Sequence, residues 1–354
     1  ESLRHIDRRS AEHHITVDCG DVPLLVRVDA GLISQGAVVA LYNYMSQILV
    51  ELVKLANLVV SLSKAVASMG RIEEILDTPC SMDFSGSAAG SNPAEAVRFK
   101  DVSLRYRDAG ADSLSHISFT AMAGETIGVI GGTGSGKSTL VNLVPNFYSA
   151  TKGQVLIDGV NADEYDRAAL LSAVSVVPQK AVLFEGTIRS NLLMGNPNAS
   201  EAELFSALET AQAAEIVRTK PNGIDEPVLR GGSNFSGGQK QRLSIARALV
   251  HGGRILILDD SASALDFATD AKLRAAIRKL SPAPTTFIVS QRAASVMFAD
   301  FIIVLDEGRA VGQGTHEELL RNCAVYREIY ASQFPDEAAK LSIPNNTPEG
   351  DAAK

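Results

Sequence analysis

A glycine-rich stretch, GGTGSGKS, occupies residues 131–138 and combines the residue types that bind phosphate. It fits the pattern GxxxxGK[ST], it follows a short apolar run, and an apolar helical pattern begins at Thr139. Glycines let the backbone wrap an anion, so that N–H groups and the start of the next helix face the phosphates. Lys137 is predicted to reach the β- and γ-phosphates of a nucleotide, and Ser138 to bind Mg²⁺. A plain glycine-rich turn is the alternative, and the flanking strand and helix patterns argue against it.

A pair of adjacent carboxylates is the second feature that could do chemistry. The apolar run ILIL, residues 255–258, predicts a buried strand, and Asp259 and Asp260 follow it. An acid at the carboxyl end of such a strand can lie near Mg²⁺, usually through water, so Asp259 is predicted at the metal. The alternative interpretation is an acidic turn that caps a helix. The presence of a phosphate loop in the same domain argues against it.

These side chains need a scaffold that brings strand ends together. From Val97 to about Phe334, strand-like apolar runs alternate with helical patterns, which predicts an α/β domain with a mainly parallel sheet. Residues 81–96 are small, polar and rich in Gly and Ser, so we interpret them as a linker. Residues 335–354 are polar and contain prolines, which predicts a disordered tail. The mixed, charged residues 1–30 predict no element.

A long apolar stretch precedes the linker. Residues 31–63 carry only two charges, Glu51 and Lys54, and apolar residues recur at helical spacing. The stretch is long enough to span a bilayer, whose core needs about 20 residues. By pattern alone, a membrane helix that faces a bundle or an aqueous cavity and a long core or coiled-coil helix fit equally well.

Composition excludes some classes of function. The net charge of −8 over 354 residues argues against a general nucleic-acid surface, and the absence of Trp argues against base stacking. The three cysteines are isolated and odd in number, which predicts ordinary thiols without a disulfide framework. The chain begins at Glu1 and has no signal-peptide pattern, so we expect a fragment of a longer protein.

A third motif resembles a known family. NFSGGQKQRLSIARAL, residues 234–249, resembles the signature sequence of ABC ATPases. Four other motifs of that family occur in order around it: Tyr106 in LRYRD, Gln179 in VVPQKAVLFEGTI, SALD at 263–266, and IVSQR at 288–292. The resemblance covers about residues 95–334. It implies a P-loop NTPase of the ABC type, with a mainly parallel core sheet, an antiparallel β subdomain and a helical signature subdomain.

The resemblance also implies roles for individual residues and the cofactors ATP and Mg²⁺. Tyr106 would stack on adenine, Gln179 would sense Mg²⁺, and Asp260 and Gln291 would act on the γ-phosphate and the attacking water. In this family two domains pair head to tail, so the signature of one chain completes the site of the other. The remaining predicted nucleotide contacts are Gly132, Thr133, Gly134, Ser135, Gly136, Lys137, Ser138, Thr139, Ser236, Gly237, Gly238, Gln239 and Asp266, and the predicted metal contacts are Ser138, Gln179 and Asp259.

The stretch ahead of the linker resembles the last transmembrane helix of ABC exporters. That likeness favours the membrane interpretation, with residues 1–80 as the end of a membrane domain, its last helix at about 31–63 and a cytoplasmic extension. It implies an inner- or plasma-membrane half-transporter with several spans in the full protein, membrane lipid around them and a cytoplasmic nucleotide-binding domain at 97–334. The expected partner is a second half-transporter, and the transported substrate cannot be read from this sequence.

Two positions depart from the family pattern. Asp260 stands where hydrolysing sites carry Glu, and Gln291 stands where they carry His. The carboxylate of Asp falls about 1.5 Å short, one bond length. A misplacement of about 1 Å can cost roughly a hundredfold in rate. Gln donates a hydrogen bond but cannot carry the positive charge available to His. We therefore hypothesise a site that binds ATP and hydrolyses it slowly.

The paired departures resemble those of heterodimeric bacterial multidrug or lipid exporters with one degenerate site. A heterodimer would combine one slow site on this chain with one fast site on its partner. Three alternatives stay open: a homodimeric exporter that hydrolyses slowly, a soluble ABC ATPase without a transport function, and a regulatory ATP-binding subunit that does not transport.

Overall fold

The structure is a computed structural model that describes Gly31 and residues 34–78, 86–88, 90, 94–107, 109–261 and 263–340. The chain divides into two compact units, residues 1–80 and 81–354. Residues 1–30, which include Cys19, and Cys80 lie outside the described residues, so the structure does not bear on the predictions made for them.

The described part of the first unit contains a long helix, α1, at Gln35–Leu76, 42 residues in all. It begins at Ser34, whose side chain accepts a hydrogen bond from the Ala37 N–H. At 1.5 Å per residue it is about 63 Å long, which exceeds the bilayer core of roughly 30 Å. Its best 18-residue window has a mean hydropathy of 1.6, and among the described residues it is the one helix long and apolar enough to cross a membrane. The predicted span and its extension toward residue 76 therefore form one continuous helix.

The second unit is built on a six-stranded sheet, as the alternating apolar pattern predicts. Its strands are β3 (Thr126–Gly131), β6 (Val174–Val177), β9 (Ile255–Asp259), β10 (Thr285–Ser290), β11 (Phe301–Asp306) and β12 (Arg309–Gly314). Their order is β12-β11-β3-β10-β9-β6, with all pairs parallel except β11–β12. Because β3, β10 and β9 lie next to one another, their carboxyl ends meet at one edge of the sheet.

An antiparallel sheet covers part of this unit. It contains β1 (Glu95–Leu104), β2 (Leu114–Met122), β4 (Lys152–Ile157) and β5 (Val160–Asn161) in the order β2-β1-β4-β5. Phe99 and Phe119 stack across the β1–β2 pair with ring centroids 4.5 Å apart, and Phe119 meets Phe287 of the parallel sheet edge to face. Burial of these aromatic rings joins the two sheets.

Helices connect the strands of the second unit. They are α2 (Lys137–Asn142), α3 (Arg167–Ala173), α4 (Ile188–Leu193), α5 (Glu201–Thr210), α6 (Ala214–Arg218), α7 (Gly237–His251), α8 (Phe267–Arg278), α9 (Ala293–Val296), α10 (His316–Asn322), α11 (Ala324–Gln333) and α12 (Pro335–Lys340). Two short strands, β7 (Gly186–Thr187) and β8 (Pro227–Val228), pair antiparallel beside these helices. Helices α4 to α7 form the predicted signature subdomain, with α4 and α5 packed on α7.

Two predicted segments, the linker and the tail, overlap elements of the structure. The linker at 81–96 overlaps strand β1, which begins at Glu95, and Ala88 pairs with Tyr165 in a parallel bridge. Gly90 donates its N–H to the Tyr165 hydroxyl at 2.9 Å, so tertiary hydrogen bonds hold a segment whose composition resembles a linker. The pattern of small residues is what this close approach requires, because a Cβ on Gly90 would lie 2.4 Å from the Asp158 Cβ.

The predicted disordered tail begins instead as helix α12, Pro335–Lys340. Proline suits the first position of a helix, and Asp336 and Glu337 in the first turn suit its positive end. Glu337 also accepts a hydrogen bond from the Tyr330 hydroxyl of α11. Residues 341–354 lie outside the described residues.

Candidate nucleotide-binding site

The phosphate loop joins β3 to α2, as its sequence predicts. All six residues of β3 are buried, and the loop turns through Gly134 and Gly136, whose φ angles are 80° and 94°. A Cβ on Gly136 would lie 2.9 Å from both the Ser113 carbonyl oxygen and the Leu114 Cδ2. Glycine is therefore required at Gly136 for its conformation and for the close contact behind the loop.

Lys137 lies inside this loop. Its Nζ donates to the carbonyl oxygens of Gly131 at 2.9 Å and Gly132 at 2.6 Å. Burial lowers the pKa of Lys137, whereas the charges of Asp260 and Asp259 raise it. The ammonium is thus already held where the loop would surround a phosphate, and only neutral backbone oxygens need to be exchanged for phosphate oxygens.

Ser138 and Asp259 form the candidate metal position. The Ser138 hydroxyl donates to Asp259 Oδ1 at 3.0 Å, across 121 residues of sequence. Burial raises the pKa of Asp259, with a further rise from Asp260, while the bond from Ser138 lowers it. One hydroxyl and one carboxylate are ligands that suit Mg²⁺, which normally takes its other oxygens from phosphates and water. The described residues contain no group of three or more acids, His or Cys that would make an all-protein metal cage.

Asp260 faces Gln179, which follows β6. The Gln179 Nε2 donates to Asp260 Oδ2 at 3.2 Å, and the Asp260 backbone N–H donates to the Val289 carbonyl at 3.0 Å. Asp260 has a φ of 44°, a left-handed conformation that non-glycine residues seldom adopt. Its side chain is therefore fixed by a strained backbone on one side and an amide on the other.

Gln291 follows β10, and its side chain contacts the phosphate loop. The Thr133 hydroxyl of the phosphate loop donates to Gln291 Oε1 at 3.4 Å. The Gln291 Nε2 is then the donor that a phosphate oxygen would meet.

These groups line one cleft of about 670 Å³. The predicted residues among its lining are Thr133, Gly134, Gly136, Lys137, Ser138, Thr139, Gln179, Asp259, Asp260 and Gln291. Its described lining contains four carboxylates and one lysine. Phosphate binding therefore relies on backbone N–H groups and on a cation that offsets the acids.

Three predicted loop-side residues do not line the cleft. Gly132 lies behind it as an acceptor for Lys137, and Ser135 is buried, with 4% of its surface exposed. Tyr106 donates its hydroxyl to Thr139 at 3.1 Å and meets Tyr148 edge to face at 5.0 Å. Tyr106 is thus anchored to the helix that carries the phosphate loop.

The signature residues form a second group, away from the cleft lining. Ser236 caps α7 and shares a reciprocal capping box with Gln239. A Cβ on Gly238 would lie 2.9 Å from the Ala264 carbonyl, so the start of α7 packs on the SALD loop of the same chain. Asp266 caps α8 through the Thr269 N–H at 2.9 Å. Ser236, Gly237, Gly238, Gln239 and Asp266 all lie outside the cleft lining.

Sequence reasoning missed several cleft residues. Asp112 and Glu307 add carboxylates to the lining, and Gly308 donates its N–H to the Ser135 carbonyl at 3.2 Å. Arg292, beside Gln291, donates to the Ser263 carbonyl at 3.1 Å and so joins the end of β10 to the SALD loop. The EG pair at Glu307 and Gly308, which is typical of a turn, was the available signal, and it does not indicate a ligand.

Fold and cleft define a P-loop nucleotide-binding domain. The sequence model of the ABC transporter family matches residues 114–263. An "Uncharacterized ABC transporter ATP-binding protein" of Mycobacterium tuberculosis is 39% identical over 328 residues, which is 90% of this chain and 56% of that protein. A "Probable multidrug resistance ABC transporter ATP-binding/permease protein" of Bacillus subtilis is 38% identical over 86% of this chain and 45% of that protein.

A solved structure of a bacterial Atm1-family ABC exporter with ATP bound is also similar. It is 33% identical with a TM-score of 0.71, over 77% of this chain and 48% of that one. The chain therefore contains an ABC transporter ATP-binding domain, which has an ATPase fold, and the proteins similar to it include an Atm1-family exporter. It spans about half the length of the curated relatives it matches.

Proposed function

We propose that this chain is the ATPase part of an exporter-type ABC half-transporter whose own ATP site hydrolyses slowly. Residues 1–80 would end a multi-pass membrane domain surrounded by lipid, and residues 97–334 would form the cytoplasmic nucleotide-binding domain. ATP binding would close a head-to-tail dimer, and hydrolysis with product release would reopen it. The transported substrate is set by the membrane domain.

The observation that carries this proposal is the contrast between the phosphate loop and the Asp260 side of the same cleft. Lys137 is held inside the loop, and Ser138 and Asp259 are joined by a hydrogen bond. Asp260, in contrast, is one methylene shorter than Glu, and its carboxylate is engaged by the Gln179 amide. The first group supports nucleotide binding, and the second supports slow activation of water.

Each residue would have a defined task at this site. Lys137 and the loop N–H groups would bind the β- and γ-phosphates, while Ser138, Asp259 and Gln179 would hold Mg²⁺, which neutralises phosphate charge. Asp260 would orient water through its remaining carboxylate oxygen. Gln291 would donate a neutral hydrogen bond to the γ-phosphate. Tyr106 would contact the adenine.

The separate signature group supports head-to-tail pairing. Ser236 and Gly238 lie at the N-terminus of a 15-residue helix, where N–H groups and the helix dipole favour an anion. Since these residues lie outside the cleft lining of their own chain, we propose that they complete the ATP site of a partner.

We propose a heterodimer, in which this chain holds the slow site and its intact signature serves a fast site on a second half-transporter. The rival is a homodimer with two slow sites. Affinity purification of the tagged protein from native membranes distinguishes them: a different ABC half-transporter at equal stoichiometry is expected. Recovery of this chain alone would favour the homodimer.

Ser236→Arg tests the pairing through activity. In the purified pair, this change is expected to abolish most ATP turnover, because it obstructs the partner's site while this chain's own cleft residues stay intact. Ser233→Arg, three residues earlier and also exposed, is the matched control. Equal turnover of both variants would contradict the head-to-tail role of the signature.

A soluble ABC ATPase is the second class of function, and α1 argues against it. Carbonate extraction of membranes tests this point directly. The protein is expected to stay in the membrane pellet, and its release into the soluble fraction would overturn the exporter proposal.

A further inference from the structure

The side chain of Gln333 reaches from the end of α11 to the backbone around Gln291. Its Nε2 donates to the Gln291 carbonyl at 2.9 Å, and its Oε1 accepts from the Ala293 N–H at 2.8 Å. The two bonds cross 42 and 40 residues of sequence. Only one orientation of the amide satisfies both partners, because one is an acceptor and the other is a donor.

The two backbone groups have a reason to need this partner. Ala293 is the first residue of α9, so its N–H has no acceptor within the helix. Arg292, the N-cap residue, offers no side-chain cap. The Gln333 amide therefore acts as a helix cap and, with the same group, ties down the residue that faces the cleft.

Helix α11, which carries Gln333, is held in place by buried tyrosines. Tyr326 is fully buried, and Tyr330, one turn before Gln333, has 3% of its surface exposed. The Tyr326 hydroxyl lies 2.8 Å from His316 Nδ1 of α10. A side chain on such an anchored helix can hold a loop more accurately than another loop can.

The backbone segment that Gln333 holds is also anchored by the side chains of two of its own residues, Gln291 and Arg292. The Gln291 side chain contacts Thr133 of the phosphate loop at 3.4 Å, and Arg292 donates to the Ser263 carbonyl of the SALD loop at 3.1 Å. A neutral amide such as Gln291 acts by one directional hydrogen bond, which weakens steeply with misalignment. The position of its backbone therefore decides whether its Nε2 reaches a γ-phosphate.

We infer that Gln333 is a positioning residue for the γ-phosphate contact of Gln291. This inference rests on the proposed function, since it assigns Gln291 to the γ-phosphate of bound ATP. It predicts a specific defect: loss of Gln333 weakens ATP binding relative to ADP binding, because ADP has no γ-phosphate for Gln291 to meet.

The test is a double-mutant cycle on the ratio of ATP to ADP affinity, measured with Mg²⁺ by competition against a fluorescent nucleotide. Gln333→Met keeps the length and apolar packing of the side chain and removes both hydrogen bonds. It is expected to lower the ratio about fivefold, the value of one hydrogen bond, and to leave ADP affinity unchanged. In a Gln291→Ala background, Gln333→Met is expected to change the ratio no further.

Ser332→Ala, on the same helix, is the matched control and is expected to leave the ratio unchanged. An unaltered ratio in Gln333→Met, or an equal fall with and without Gln291, would overturn the inference. Should Gln333→Met fail to fold, Gln333→Glu enters the same cycle, because it keeps the acceptor for Ala293 and removes the donor to Gln291.

Hydrogen exchange separates this inference from the proposed function. Without nucleotide, the Ala293 amide is expected to exchange about tenfold faster in Gln333→Met than in Ser332→Ala. An unchanged exchange rate would show that the Gln333 side chain does not protect the Ala293 N–H, and the inference would then fail. Failure of the wild-type protein to bind either nucleotide would refute the proposed function, and the exchange result would still decide whether Gln333 holds this loop.

Discussion

The two sides of the nucleotide cleft differ in what holds them in place. On the phosphate side, glycines at required φ angles and backbone carbonyls around Lys137 shape the loop. On the side of Asp260 and Gln291, side-chain contacts from distant residues do so: Gln179 meets Asp260, Thr133 meets Gln291 and Gln333 meets the Gln291 backbone. A site built this way can keep nucleotide binding while hydrolysis changes through a few side chains.

The largest effect is expected from replacing Asp260 and Gln291 with Glu and His, the residues that the family resemblance implies for a hydrolysing site. Asp260→Glu combined with Gln291→His should raise ATP turnover on the order of a hundredfold, because the carboxylate gains about 1.5 Å of reach, one bond length. Steady-state phosphate release from the purified protein measures this. Asp163→Glu, at an exposed turn, is the control for a general effect of a longer acid. Unchanged turnover would mean that the short acid is not what limits the site.

Substitutions on the phosphate side of the cleft should change the affinity for ATP. Lys137→Ala is expected to weaken ATP affinity about thirtyfold, since it removes charge-assisted bonds to phosphate. Equilibrium binding of a fluorescent ATP analogue measures this, with the exposed Lys152→Ala of β4 as control. Similar affinities for both variants would contradict a phosphate role for Lys137.

The loop backbone can be tested apart from its charges. Gly136→Ala should destabilise the domain by about 1.5 kcal/mol, because φ is 94° there and the new Cβ would meet Ser113 and Leu114. Gly132→Ala in the same loop is the control, since a Cβ added at Gly132 would meet no atom within 4 Å. Chemical denaturation gives both values, and an equal cost would show that the backbone of Gly136 is not constrained.

The smallest effect concerns Asp259, where binding and stability oppose each other. Burial raises the folded-state pKa of Asp259 above its ordinary value, so its charged form destabilises the fold at neutral pH. Asp259→Asn should therefore raise the free energy of unfolding at pH 7. The gain should shrink as pH falls through the raised pKa, where the wild-type carboxyl is protonated in the fold.

Unfolding of Asp259→Asn and wild type at several pH values measures this, and a constant difference would contradict the burial explanation. The same variant should lose the dependence of ATP affinity on Mg²⁺. Stability gained with metal dependence lost would identify Asp259 as a residue kept for binding.

Sequence patterns anticipated the features that depend on local chemistry. The strand, glycine loop and helix of residues 127–142, and the acids at the end of β9, follow from motifs whose spacing is fixed by backbone geometry. The Gln179–Asp260 pair became foreseeable only through the family resemblance, because 81 residues separate the two side chains.

Other features depend on tertiary contacts that no local pattern encodes. Composition assigns Gly90 to a linker, yet the fold brings it against Tyr165 and Asp158, where a larger residue would not fit. Residues 335–340 look polar and unstructured, but Tyr330 offers Glu337 a partner. Gln333 carries no motif, and its amide gains a role only when the fold brings it to Gln291.

Single-turnover cleavage of γ-labelled ATP by the purified protein tests the central claim most directly. ATP is expected to bind with Mg²⁺ and to be recovered mostly uncleaved from the wild-type site, whereas the Asp260→Glu, Gln291→His protein is expected to cleave it. Rapid cleavage by the wild-type protein alone would contradict the account, because Asp260 would then suffice as it stands.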